Sequence, residues 1–262
     1  MGSSDNHPPL IQTVDEGVLT ITLNRPRQRN ALDPELRDAL ARAIDVAAQS
    51  DVDALVLTGA GGAFCAGGDL SRFADLHDAR VYRHVSHRLT ELIDAVSRLE
   101  KPVVAAIDGV ATGAGLTLAL ACDWRIASPG ARLLFREGRL NLVPTHGGIA
   151  RLVKLVGLAK ATEALLGGDD LTAEDALRLG LVMEIADGDH VAAAHTRAKR
   201  MLRRAPLSFG AAKRLLHLAA DGDLRSTAVA ESLAQTALLA TEDHREGLAA
   251  VRELREPEFT GR

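Results

Sequence analysis

The chain has 262 residues, 47% hydrophobic and 25% charged, and this is the composition of a globular protein with material for one large core. A formal net charge of −4 gives no broad basic field for nucleic acid, and 3% aromatic residues leave little for a base-stacking surface. Two cysteines, Cys65 and Cys122, exclude a disulfide framework or a self-contained metal site, so no metal and a reduced, cytoplasmic setting are expected.

Residues 1–9 are polar and proline-containing and read as a disordered tail, without the basic start and apolar core of a signal peptide. No apolar run reaches the ~18 residues of a membrane helix. "LIQTV" and "VLTITLN", separated by Asp15-Glu16-Gly17, alternate as a β-hairpin does. "LDPELRDALARAIDVAAQ" predicts a helix capped by Asp33, with Pro34 in its first turn and Leu36, Leu40, Ile44 and Ala47 as its apolar stripe. "DALVLTG" and "KPVVAAIDG" are buried-strand candidates, and each runs into a turn of small residues. Between them Val81, Val85, Leu89, Ile93, Val96 and Leu99 recur at helical spacing. "DWRIAS" and "RLLF" predict two further short strands. In "LTAEDALRLGLV", Thr172 and Asp175 form a capping-box pattern and Gly180 ends the helix. An α/β body is therefore expected over 10–200, as a mostly parallel sheet with helices outside, followed by an all-helical region over 201–262.

The two small-residue turns, "AFCAGGDL" and "GVATGAGLTLALAC", share one design: a buried strand enters a glycine-rich bend that opens a helix. Small residues let a ligand approach the backbone, and the first N–H groups of a helix lack intrahelical acceptors at the positive end of its dipole. Two such bends facing one another would form an oxyanion hole, each donor worth ~3–4 kcal/mol to a developing negative oxygen. Neither bend spells G-x-G-x-x-G, and the chain contains no P-loop and no G-x-S-x-G elbow.

"NRPRQRNAL" (24–32), "FCAGGDL" (64–70), "GVATGAGLTLALACD" (109–123), "LNLVPTHGG" (140–148) and "LTAEDALRLGLV" (171–182) occur in the order seen in the enoyl-CoA hydratase/isomerase, or crotonase, family, which this sequence resembles over roughly residues 10–260. The resemblance implies an α/β fold built as a crotonase-like spiral of ββα units. It also implies a helical C-terminal region used for trimerisation, giving a homotrimer or a dimer of trimers. Acyl-CoA thioesters are the implied substrates, with coenzyme A arriving as part of the substrate and no separate cofactor.

By motif, the implied oxyanion donors are the backbone amides of Ala66 and Ala114, the latter standing where many members have glycine. The implied contacts to substrate and CoA are Arg27, Arg29, Ala66, Gly67, Gly68, Asp69, Leu70 and Ala114, with Arg25 in the same basic loop. Asp69 also reads as a cap or loop-holding residue. Family hydratases carry two glutamates. Glu137, seven residues before Pro144, matches the second, whereas Thr117 stands where the first would be. One carboxylate can move a proton between two carbons, so double-bond isomerisation with Glu137 as acid/base is the leading expectation. Thr117 and His146 are possible auxiliary groups. Arg136 and Asn141 depart from the proline and glycine usual around the glutamate. A hydratase with one of the two glutamates, another family reaction such as hydrolysis or decarboxylation, a non-catalytic acyl-CoA-binding subunit and RNA binding are the alternatives. "SRFADLHDARVYRHVSH" is expected to shape the acyl pocket.

Overall fold

The computed structural model describes residues 7–49, 51–69, 71 and 79–262, so most of the expected tail and part of the expected acyl-pocket segment lie outside the described residues. Strands β1 (Leu10–Asp15) and β2 (Val18–Leu23) form the anticipated antiparallel hairpin around Gly17, whose φ of 76° suits glycine. Helix α1 (Pro34–Gln49) begins where expected: the Leu36 N–H donates to Asp33 Oδ1 at 2.8 Å. Leu36, Leu40, Ile44 and Ala47 are all buried.

The next elements come as strand pairs followed by helices. They are β3 (Ala54–Gly59), β4 (Ala63–Cys65) and α2 (Ala79–Arg98), then β5 (Val103–Ile107), β6 (Val110–Thr112) and α3 (Gly113–Leu120), then β7 (Trp124–Ala127), β8 (Arg132–Leu134) and α4 (Gly148–Leu166). They are followed by β9 (Leu171–Thr172), α5 (Ala173–Leu179), β10 (Glu184–Ile185) and α6 (His190–Met201). The capping box of α5 forms as read, and Gly180 closes it in the left-handed region.

Two sheets stand where one was expected. The first has the order β1-β2-β3-β5-β7-β10 and is parallel from β2 onward; the second has the order β4-β6-β8-β9. Each pair therefore sends its first strand to one sheet and its second to the other. The strands β4 and β6 are three residues each, too short to show a period, and in the sequence they read as turns.

The inner strands β2, β3, β5 and β7 of the larger sheet are buried on both faces, as their continuous apolar runs require, while β1 at its edge is mostly exposed. Leu55, Leu57, Val103, Ala105 and Ile107 join one core with α1, α2 and α3, while Ala54, Val56, Val104 and Ala106 join another with Ala194 and Ala198 of α6. Helices α7 (Pro206–Asp221), α8 (Leu224–Leu239) and α9 (Glu242–Glu253) follow. Lys213 of α7 fastens them to the sheet: its buried Nζ lies 2.8 Å from Asp123 Oδ2, which also accepts the Val103 N–H. Among the described residues no helix is long and apolar enough to cross a membrane.

Candidate active site

The two small-residue bends meet. Gly67, at φ +84°, lies so close to the second bend that a Cβ there would stand 2.8 Å from Thr112 O and 3.2 Å from Ala114 N. A Cβ on Gly115 would stand 2.5 Å from Cys65 O. The glycines thus permit the contact between the bends, and Ala66 and Ala114 line one shared cavity of about 1140 Å³. Ala114 sits in the first turn of α3, where helix geometry provides no acceptor for its N–H.

The Ala66 amide departs from expectation. It donates to Arg29 O at 2.9 Å, beside a Leu32 N–H that donates to Gly67 O at 2.7 Å. These bonds stitch residues 29–32 to 66–68 as a short parallel bridge, so one of the two donors already has an acceptor inside the protein.

Glu137 lines the same cavity, at the start of a 3-10 turn spanning Glu137–Leu140. The turn closes through Asn141 at φ 56°, a left-handed position that asparagine tolerates better than most residues, and this explains the absence of glycine there. Arg136 is exposed and pairs with Asp170, so it leaves the neighbouring carboxylate alone. Glu137 Oε2 is buried with no hydrogen-bond partner among the described residues. Burial raises its pKa above the ordinary value, only partly offset by a hydrogen bond from its own backbone.

His146 lines the cavity too, and its protonation can be read from its partners. The Thr90 hydroxyl donates its one hydrogen to Ser86 O at 2.8 Å, so toward His146 Nδ1, at 3.1 Å, it acts as acceptor. The proton therefore sits on Nδ1, and Nε2 carries the lone pair. Burial lowers the imidazole pKa; the Ser86 carbonyl opposes this and the Arg37 charge adds to it. Arg151 holds the loop by donating to His146 O at 2.8 Å while pairing with Asp94 of α2. Thr117, by contrast, is outside the cavity lining. Its hydroxyl bonds back to Gly113 O at 3.2 Å, and a Cβ on Gly148 would stand 2.8 Å from it, so the residue fills a contact between α3 and α4.

The remaining predicted residues divide. Arg29, Gly68 and Asp69 line the cavity; Arg27 and Gly67 do not, and Leu70 lies outside the described residues. Arg25 is structural, pairing with Asp33 at 3.2 Å and Asp69 at 3.3 Å. Asp69 is held below the usual carboxylate range first by the Ser71 hydroxyl, 2.6 Å away. Cys65 and Cys122 are buried, which pushes both thiols up to about 12 and leaves them without nucleophilic character. The sequence did not single out Arg37, Thr90 or Ser86. Arg37 flanks the α1 stripe and lines the cavity, and its position beside Leu36 and Leu40 was the available signal.

Comparison with known proteins bears on the family and the fold. The enoyl-CoA hydratase/isomerase family model matches residues 13–262. The chain is 36% identical to 2,3-dehydroadipyl-CoA hydratase of Escherichia coli over 97% of its length and 99% of that protein's. It is 31% identical to trans-2-decenoyl-[acyl-carrier-protein] isomerase of Streptococcus mutans, with 97% and 98% covered. The fold matches that of an enoyl-CoA hydratase from Bacillus anthracis with a TM-score of 0.92 at 32% identity, covering 97% of this chain and all of that one. The two-sheet α/β architecture is the crotonase fold, and the chain belongs to the enoyl-CoA hydratase/isomerase family.

Proposed function

We propose that the cavity holds an enoyl-CoA thioester and that the chain shifts its double bond, with Glu137 as the single acid/base. In the 3-enoyl direction the Glu137 carboxylate takes a proton from carbon 2, and the C–H electrons move onto the thioester oxygen as an enolate. The same carboxylic acid then returns the proton to carbon 4, leaving the double bond between carbons 2 and 3. The Ala114 N–H and the N-terminus of α3 stabilise the enolate oxygen more than the parent carbonyl, which accelerates the step. The Ala66 N–H joins them by sharing or exchanging its bond to Arg29 O.

The observation that carries this reading is the buried, unpartnered Oε2 of Glu137 at the cavity that Ala114 lines, with Thr117 turned away from it. The test is a panel of 2-enoyl- and 3-enoyl-CoA thioesters with products identified by mass spectrometry and NMR. Movement of the double bond without change of mass is the expected result. A water adduct as the main product would replace it with hydration.

Hydration is the second reading, and His146 favours it. A neutral imidazole with its lone pair on Nε2 can take a proton from water while Glu137 supplies one to carbon. For assembly we propose a trimer or a dimer of trimers built through α7–α9, which expose Leu216, Leu224, Leu233 and Val251.

A further inference from the structure

Among the described residues five arginines line the cavity; Arg29, Arg132, Arg136 and Arg139 are exposed, and Arg37 alone is partly buried. Arg25 pairs with Asp33 and Asp69, Arg88 with Asp38, Arg136 with Asp170 and Arg151 with Asp94. Asp33 and Asp38, four residues before Arg37 and one after it, are thus spent on other cations, and Glu35 is exposed. Its own guanidinium uses only Nε, which donates to Asp33 O at 3.2 Å, and no carboxylate lies within ion-pair distance of it among the described residues. The side chain is half-buried, and the loss of hydration is the main cause that lowers its pKa, joined by the Arg88 charge and opposed by the charges of Asp38 and Asp33. An arginine keeps its charge through such a shift. A partly dehydrated cation, with no partner on its terminal nitrogens among the described residues, lines the cavity that holds Glu137 and His146, and its charge is felt by His146.

A guanidinium fork matches a carboxylate in charge and in geometry, through two parallel N–H···O bonds. We infer that Arg37 receives a carboxylate at the far end of the acyl group, so that the preferred substrates are CoA thioesters of dicarboxylic acids. The inference rests on the acyl-CoA reading of the cavity. It is independent of whether the reaction is isomerisation or hydration. Tyr82 and Ser86 of α2 line the same cavity and give its wall a polar component that a purely alkyl chain would not use.

The CoA phosphates are the other anions that arginine would attract, and the test separates the two. The full-length protein is assayed on two enoyl-CoA thioesters of equal chain length, one ending in a methyl group and one in a carboxylate. Free CoA serves as a competitive inhibitor. The carboxylated substrate is expected to have the higher kcat/KM. Arg37→Leu should lower the carboxylate-to-methyl ratio of kcat/KM by about 10- to 100-fold, the range of a hydrogen-bonded charge pair. Arg37→Lys should restore part of that ratio, and thermal melting confirms that both variants are folded. Equal kcat/KM for the two substrates in the parent protein overturns the inference while leaving the acyl-CoA reading intact. So does an equal loss on both substrates and on free CoA in Arg37→Leu, which would assign Arg37 to a phosphate. Failure of the parent protein to bind either thioester would overturn the acyl-CoA reading itself and the inference with it.

Discussion

Glu137 is ionised at a cost, because one of its oxygens is buried with no hydrogen-bond partner among the described residues. Since its folded pKa lies above the ordinary 4.5, the folded state binds the proton more tightly than the unfolded chain. Stability then falls as pH rises from about that value through the raised one, and the loss persists above it. Glu137→Gln removes the titration. It is expected to lower turnover by roughly 10²–10⁴-fold while raising the melting temperature at neutral pH, with the stability gain disappearing in acid below the ordinary glutamate pKa. Calorimetry beside the enoyl-CoA assay checks both halves; retained turnover would remove Glu137 from the chemistry. The residue was legible from its spacing to Pro144. Its environment was not, because the Thr90–Ser86 relay that fixes the neighbouring imidazole joins side chains 56 residues apart in sequence.

At the scale of elements, the contact between the segment after β4 and the bend before α3 makes the site, and Gly67 is one of its tight points. Gly67→Ala adds a methyl group that meets Thr112 O and Ala114 N, at a φ that L side chains rarely adopt. The two bends must then separate. We expect a stability loss of about 1–3 kcal/mol, from backbone strain, and a larger proportional loss in kcat than in substrate affinity. An unaltered kcat would mean that the spacing of the bends does not matter to the reaction. The hairpin, α1 and the capping box of α5 could be read directly because each rests on a local pattern of period or capping. The second sheet could not, since β4 and β6 gain their identity from partners far along the chain. Helices α4 and α6 were equally hidden: α4 is interrupted at Gly157, and α6 packs with small alanines in place of a stripe of large residues.

For the whole molecule, the apolar residues left exposed on α7–α9 predict association. Light scattering should return three or six times the chain mass, and a stable monomer at micromolar concentration would refute the proposed assembly. The order of the motifs along the sequence made the general architecture legible, whereas the internal use of the Ala66 amide appears only in three dimensions. That bond sets up a competition. On the proposed reading, a thioester oxygen draws the Ala66 hydrogen from the Arg29 peptide, which joins the segment around residue 30 to the one around residue 66. A CoA thioether, identical except that it lacks the carbonyl, has nothing to offer in exchange. It is expected to bind more weakly than the thioester and to leave the Ala66 amide protected from deuterium, an outcome in which the bond to Arg29 sorts acyl from alkyl cargo before any proton has moved.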